Sequence, residues 1–458
     1  MQEPREDRSH SVGGSASLAQ RFFDTLIALD FAPAQSLAAF QDNVLRDLIT
    51  HVAAQSAFYR RRLEPVIDAQ GTADLTFWHK VPILTAKDVA VHFDELRAQS
   101  IPKEHGRIFR YQSSGTTGRA LDYYRSQLDE LATSCSQYRH FRAMGVNWSK
   151  DLALIRAFDS ALARFRKTRP EGSRQTWGPS WIAPDRLGAL HRLSVFAPLE
   201  EQTAWLTNLG EIYLNTFPSN ALALARHITK TGAPRPKLLA VLTAGEPMTL
   251  DVRHEVEAGL GCPCFDMISN AELGIMACEC PARQGYHLQS ELARIELLDA
   301  HNRPVGPGQW GRVVATPLYN FAMPLIRYDT GDRAKLKEAC SCGRQHPLID
   351  PLYGRPSNLL YLGPSDWTRP ELSSAEMDKH LPGCRWQLVQ TSPGQVELRY
   401  MRFPANESIH AEDAERYVAS RIDAGIAITH REVAALGRNA GGKFPAFVSR
   451  VNEAIAAD

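Results

Sequence analysis

Three short runs, "KDLALIRAF" at 150–158, "EIYLNTF" at 211–217 and "KLLAVLTAG" at 237–245, are apolar at nearly every position. A strand apolar on successive residues has both faces buried, because its side chains alternate between the two faces. The runs are separated by stretches with helical spacing, such as "PSNALALARHITKTG" at 218–232. Buried strands alternating with helices predict an α/β domain with a parallel-rich sheet covered on both sides. A fourth strand, "CPCFDMISNAELG" at 262–274, runs into a polar loop, and ligands of α/β sheets bind at such strand ends.

The flanking segments complete a two-unit plan. Residues 1–16 are polar and glycine-rich and read as a disordered tail. From Ser17 to about Leu63 the spacing predicts two helices, and in "VPILTAKDV" Thr85 caps a helix that begins at Ala86. Strands are expected before Ser113 and over 121–124, then a helix over 127–144. After Glu291 alternating strands with Pro and Gly turns predict a β-rich subdomain. "GRPSNLL" at 354–360 places a boundary near Ser357, giving a large unit over 17–356 and a small α+β unit over 357–458.

Charge narrows the partners. Fifty-two basic and 51 acidic side chains leave a net charge of +1, without the basic footprint of a nucleic-acid protein or the attraction needed for an anionic membrane. No run approaches the roughly 18 apolar residues of a spanning helix. The start lacks a basic-then-apolar leader, so a cytoplasmic location is expected.

Two patterns carry candidate chemistry. "YQSSGTTGR" at 111–119 supplies glycines that permit unusual dihedrals and hydroxyls that add donors, which a phosphate cradle needs. It is neither a Walker A loop nor G-x-G-x-x-G, and its composition alone equally describes an exposed loop. Six of the eight cysteines form Cys-x-Cys pairs at 262/264, 278/280 and 340/342. In a chain without a secretory leader such pairing suggests a metal before disulfides. Cys262 and Cys264 sit on a buried strand and read as core.

Taken with "SAFYRRRL", "VPILTAKDV", "AGEPM", "IRYDTGD" and "CSCGRQHP" in that order, "SSGTTGR" resembles the phosphate loop of the adenylate-forming enzymes. The set is most similar to their phenylacetate-CoA ligase branch and its capsule-biosynthesis-type relatives. The resemblance implies a large adenylation domain, a small mobile C-terminal domain, and ATP with Mg²⁺. Ser113, Ser114, Gly115, Thr116, Thr117, Gly118 and Arg119 would hold the β- and γ-phosphates, Arg119 standing where the family usually has Lys. Ala244, Gly245, Glu246 and Pro247 would line the adenine pocket with Asn270 and Ala271. Glu272 would bind Mg²⁺, Asp332 the ribose hydroxyls, Arg355 the ribose or phosphate, and Lys443 the reacting carboxylate and α-phosphate. Lys443, Glu272 and Thr116 are the catalytic candidates. Cys280, His287, Cys340 and Cys342 match a structural zinc set, with Cys278 as the substitute ligand.

Three further positions depart from the family: Ile268 stands where Tyr is common, and Ser357 and Asn358 replace the acids of the interdomain hinge. The expected reaction activates a carboxylic acid, aromatic acids included, as an acyl-adenylate and passes it to CoA. Alternatives are another acceptor or substrate (an amine, a carrier protein, or nitrite in a diazotase-like reaction) and an inactive zinc-containing scaffold of the same fold. A homodimer is compatible with each. His140, Trp177, Trp181 and His191, in the region that would form the acid pocket, read singly as packing residues.

Overall fold

A computed structural model describes residues 17–68, 70–112, 121–157, 175–351, 360–363, 366–368, 372, 374–402, 408–422, 425–436, 444 and 446–451. The chain opens with α1 (Leu18–Leu29), α2 (Ala34–Gln55) and α3 (Ala57–Arg62), one helix more than the sequence spacing suggests. The extra break falls at Ser56, which leaves helical geometry and accepts from the Tyr59 N–H, capping α3. Ser17 caps α1 through the Gln20 N–H. Ala19, Phe23 and Leu26, at helical spacing, form the face that α1 buries. Thr85 and Asp88 form a reciprocal capping box at the start of α4 (Ala86–Val91), and α5 (Phe93–Leu96) follows.

The hairpin of β1 (Ile108–Gln112) and β2 (Asp122–Ser126) leads into α6 (Gln127–Ala143). Then come β3 (Asp151–Arg156), β4 (Leu190–Ser194), α7 (Leu199–Asn208), β5 (Ile212–Thr216), α8 (Pro218–Thr231), β6 (Leu238–Ala244), α9 (Leu250–Leu260) and β7 (Cys264–Asn270). The three apolar runs are β3, β5 and β6. With β4, β7, β8 (Gly274–Glu279), β9 (Tyr286–Leu288) and β13 (Leu348–Ile349) they build an eight-stranded sheet of order β13-β9-β8-β7-β6-β5-β3-β4. Its β4-β3-β5-β6-β7 part is parallel and its β7-β8-β9-β13 part antiparallel.

Both faces of the parallel part are covered, as continuous apolar strands require. Ala153, Ile155, Ile212, Leu214 and Val241 pack under Leu224, Ala225 and Ile228 of α8 and Val256 and Leu260 of α9. The alternate residues Leu152, Tyr213, Ala240 and Leu242 pack on the other side with Phe141, Trp148 and Trp177. Trp177 also donates its indole N–H to Lys150 O, while Trp181 packs on Phe23. His191 pairs with Asp151 and His140 is buried.

Helices α8 and α9 approach closely at Gly259, where an added Cβ would lie 2.6 Å from Ala225 Cβ and 3.0 Å from its Cα. Overpacking of this kind costs about 1–3 kcal/mol. Gly259→Val is therefore expected to lower the stability measured by urea denaturation by that amount, although glycine is itself a poor residue inside a helix.

A second, antiparallel sheet is formed by β10 (Ala293–Leu298), β11 (Trp310–Pro317) and β12 (Tyr328–Lys335). It is the expected β-rich subdomain. The C-terminal unit contains the hairpin β14 (Leu360–Gly363) and β15 (Asp366–Thr368), α10 (Ser374–His380), and β16 (Cys384–Ser392) paired to β17 (Gln395–Arg402). After α11 (Ala411–Arg421), β18 (Ala427–Glu432) and β19 (Phe447–Ser449) complete a four-stranded sheet of order β18-β17-β16-β19. Leu360, Met377, Leu388, Leu398, Ala414 and Val418 form its own core. No helix among the described residues is long and apolar enough to cross a membrane.

Candidate nucleotide site and metal centre

Parallel register brings the carboxyl ends of β3, β5, β6 and β7 to one edge of the sheet: Asn215 lies beside Leu242, Thr216 beside Thr243, and Ala244 beside Met267. The chain leaves β6 through Ala244, Gly245, Glu246 and Pro247. Gly245 turns it with φ +90°, a dihedral that favours glycine. The Glu246 carboxylate accepts from the Ser219 N–H at 2.9 Å and the Ser219 hydroxyl at 3.1 Å.

One strand over, β7 ends at Asn270 and passes through Ala271 to Glu272. The Asn270 side-chain oxygen accepts from the Glu272 N–H at 2.8 Å, tightening the turn. Glu272 is 3% exposed, and among the described residues its Oε2 has no hydrogen-bond partner. Among the same residues the buried Asn270 Nδ2 also has none. A carboxylate oxygen without a donor in a dry site is costly unless a cation meets it, and a hard oxygen donor fits Mg²⁺. Burial, and next the Glu272 charge, push the Tyr123 hydroxyl pKa upward, placing β2 within that carboxylate's field.

"YDTGD" proves to be part of β12 and not the type I turn that Asp-x-Gly signals locally. The pairing with β11 jumps from Arg312–Arg333 to Val314–Asp329, a bulge spanning Thr330, Gly331 and Asp332, with Gly331 at φ +73°. Thr330 pins the bulge, its hydroxyl donating to Val313 O at 3.1 Å and accepting from the Asp332 N–H at 3.0 Å. Asp332 is 7% exposed.

Two arginines absent from the sequence reading hold these pieces. Arg156, at the end of β3, donates to Asn215 Oδ1 from Nε (3.1 Å) and Nη2 (2.6 Å), and from Nη1 to Ala244 O (3.1 Å). Its guanidinium lies 4.2 Å from the Phe217 ring centroid, and burial pulls its pKa down to about 10. Arg327 precedes "YDTGD" with φ +51° and is 1% exposed. It donates twice to Glu296, at 3.1 and 2.9 Å, and to His79 O at 2.9 Å. This clamp fixes β12 to the segment before α4. The signal for both was a charged residue inside an apolar run, "LALIRAF" and "PLIRY".

Cys280, His287, Cys340 and Cys342 converge, with donor atoms all within 4.8 Å of one another. Cys280 follows β8, His287 lies in β9, and the other two occupy the loop before β13. The His287 Nδ1–H donates to His346 O at 3.0 Å, leaving the Nε2 lone pair 3.1 Å from Cys342 Sγ. Burial lowers the His287 pKa to about 4, so the ring is neutral at pH 7, as a ligand must be. Cys278 does not join them; it packs among Phe141, Val146 and Leu152, and burial raises its thiol to about 12. Four S and N donors and no fifth suit a closed structural zinc site. Cys262 and Cys264 lie in the core.

Ser113, Ser114, Gly115, Thr116, Thr117, Gly118, Arg119, Arg355, Ser357, Asn358 and Lys443 lie outside the described residues. Their flanks frame them: β1 and β2 border the first stretch, and Phe444, next after Lys443, donates its N–H to Glu246 Oε1 at 3.0 Å.

No family model matches the chain. It is 29% identical over 347 residues to the phenylacetate-coenzyme A ligase of Thermus thermophilus, covering 73% of this chain and 74% of that protein. It is 24% identical over 346 residues to the protein of the same name from Escherichia coli, again covering 73% and 74%. The fold matches the crystal structure of 2-hydroxyisobutyryl-CoA ligase in the postadenylation state with R3-HIB-AMP, with a TM-score of 0.69, 20% identity, and coverage of 93% of this chain and 92% of that one.

Proposed function

We propose that this chain is an ATP-dependent, AMP-forming ligase of the adenylate-forming kind, similar to the phenylacetate-CoA ligases, and that it activates a carboxylic acid and transfers the acyl group to CoA. A carboxylate oxygen attacks the α-phosphorus of ATP, the bond to the bridging oxygen breaks, and pyrophosphate leaves. The CoA sulfur then attacks the acyl carbon, loses its proton, and AMP departs.

The observation that carries this reading is Glu272, a buried carboxylate after β7, the strand paired with β6, with an oxygen that has no hydrogen-bond partner among the described residues. Glu272 would hold Mg²⁺, which supplies positive charge where the phosphate oxygens gain negative charge. Asp332 presents an acceptor for ribose hydroxyls on a bulge that fixes its backbone. Ala244 and Gly245 supply a tight backbone surface for the base, and Arg156 holds the Ala244 carbonyl in place. Residues 113–119 would take the β- and γ-phosphates, and Lys443 would bring one cation to the reacting oxygens. Cys280, His287, Cys340 and Cys342 would hold a zinc ion that braces the sheet and takes no part in bond making.

The test is ATP–pyrophosphate exchange across aromatic and aliphatic acids and nitrite, followed by AMP release with and without CoA. Exchange with at least one acid, and CoA-dependent AMP release, are expected. Lys443→Ala should lower exchange by about 10²-fold or more, the order lost with one charge-stabilising group. Absence of exchange with every substrate would favour the inactive-scaffold reading, and AMP release indifferent to CoA would point to another acceptor.

A further inference from the structure

Glu246 sits where three parts of the chain meet. Its Oε2 accepts from the Ser219 N–H at 2.9 Å, and its Oε1 accepts from the Ser219 hydroxyl at 3.1 Å and the Phe444 N–H at 3.0 Å. Ser219 is the second residue of α8, so its N–H is one of the donors a helix start leaves without an intrahelical partner. Phe444 belongs to the small unit, where Arg385 lies 5.3 Å from its ring centroid. A second contact joins the same two units: Arg226 of α8 pairs with Glu255 of α9 at 2.6 Å and reaches Asp378 of α10 at 3.3 Å.

These two bridges share a design. If the small unit leaves, Glu246 keeps Ser219 and Arg226 keeps Glu255, so neither charge is stranded. Breaking a buried pair is expensive mainly because it abandons one charge, and that penalty is absent here. Charge-assisted contacts that leave no charge stranded on release suit a joint that must alternate.

We propose that Glu246 is a positioning residue for adenylate formation: with Arg226 and Asp378 it docks the small unit on the nucleotide edge of the large one through the Phe444 backbone. The proposal rests on the ligase reading above, and assigns the Glu246 carboxylate to the joint between units and not to contact with adenine. The docked joint serves the first half-reaction; thioester formation from ready-made acyl-adenylate does not need it.

The test has one arm that requires no substrate. Hydrogen–deuterium exchange at the Phe444 amide, measured on the full chain, should be slow in the unmodified protein and at least tenfold faster in Glu246→Ala. Equal rates would overturn the proposal whether or not any acid is activated. In the second arm, Glu246→Ala should lower kcat for ATP–pyrophosphate exchange by about 10- to 100-fold, the range of one hydrogen bond to a charged group. KM for ATP and the rate of thioester formation from supplied acyl-adenylate should stay unchanged. A raised KM with constant kcat would instead make Glu246 an adenine contact, and equal loss in both half-reactions would make it merely structural; either result overturns the proposal. Asp378→Asn, which leaves the nucleotide edge intact, should give the same split at smaller size, and no split there would remove Arg226 and Asp378 from the joint. If the unmodified protein activates no acid, the ligase reading fails and the amide-exchange arm still decides the docking.

Discussion

Glu272→Gln is expected to lower ATP–pyrophosphate exchange by about 10²–10³-fold while leaving the metal-free protein as stable as before, or more so. The two effects have one cause. The carboxylate is 3% exposed and one oxygen has no donor among the described residues, and burying such a group without a partner is costly. Glutamine keeps the shape and removes the charge, relieving about 1–3 kcal/mol of unsatisfied polarity at most. The same change removes the group expected to hold Mg²⁺ over the phosphates. Parallel measurements of exchange and thermal unfolding check both signs. Unchanged exchange would take Glu272 out of the nucleotide site; a large drop in stability would mean that it has a structural partner.

The second large effect concerns the four-donor cluster. Cys340→Ser with Cys342→Ser is expected to abolish stoichiometric zinc, measured by elemental analysis of the purified protein, and to lower the melting temperature. Cys280 and Cys340 are separated by 60 residues, and a cross-link closing a loop of that length is worth about 4 kcal/mol by restricting the unfolded chain. The bound metal adds its own ligand bonds, with apparent values for structural zinc of roughly 10–16 kcal/mol as an upper bound. The cluster also reaches α1, because Arg344 donates to both Asp30 oxygens at 3.1 and 3.2 Å. Exchange activity per folded molecule should survive, since none of the four proposed ligands is among the residues assigned to the nucleotide.

Much of this architecture could be read from local pattern. Runs apolar at nearly every position located β3, β5 and β6, because burial on both faces favours that composition. The Thr85 cap was legible because its partner, Asp88, is three residues away. The Cys and His set came from resemblance, and the observed convergence agrees with it. What was missed depends on distant pairing. Bonds to β11 make "YDTGD" part of a strand with a bulge, a pairing its local sequence does not carry. The Glu246–Phe444 contact joins residues 198 apart, which no spacing rule can reveal. Arg156 and Arg327 were visible as charges in apolar runs, but their partners, Asn215 and Glu296, lie on other strands.

The two-residue strand β13 carries a further consequence. It pairs with β9 on one side, while Lys337 donates to Leu348 O on the other, stitching the large sheet to the end of β12. The loop with Cys340 and Cys342 lies just ahead of this short strand, which is also held by the Asp350 N–H on Lys335 O and the Lys337–Asp350 ion pair. If the proposed zinc braces that loop, its loss is expected to loosen the seam and expose the backbone edge of β9, a template for other chains. Metal-depleted protein should therefore be lost first to self-association, visible as light scattering below the melting temperature, while the remaining monomers still turn over.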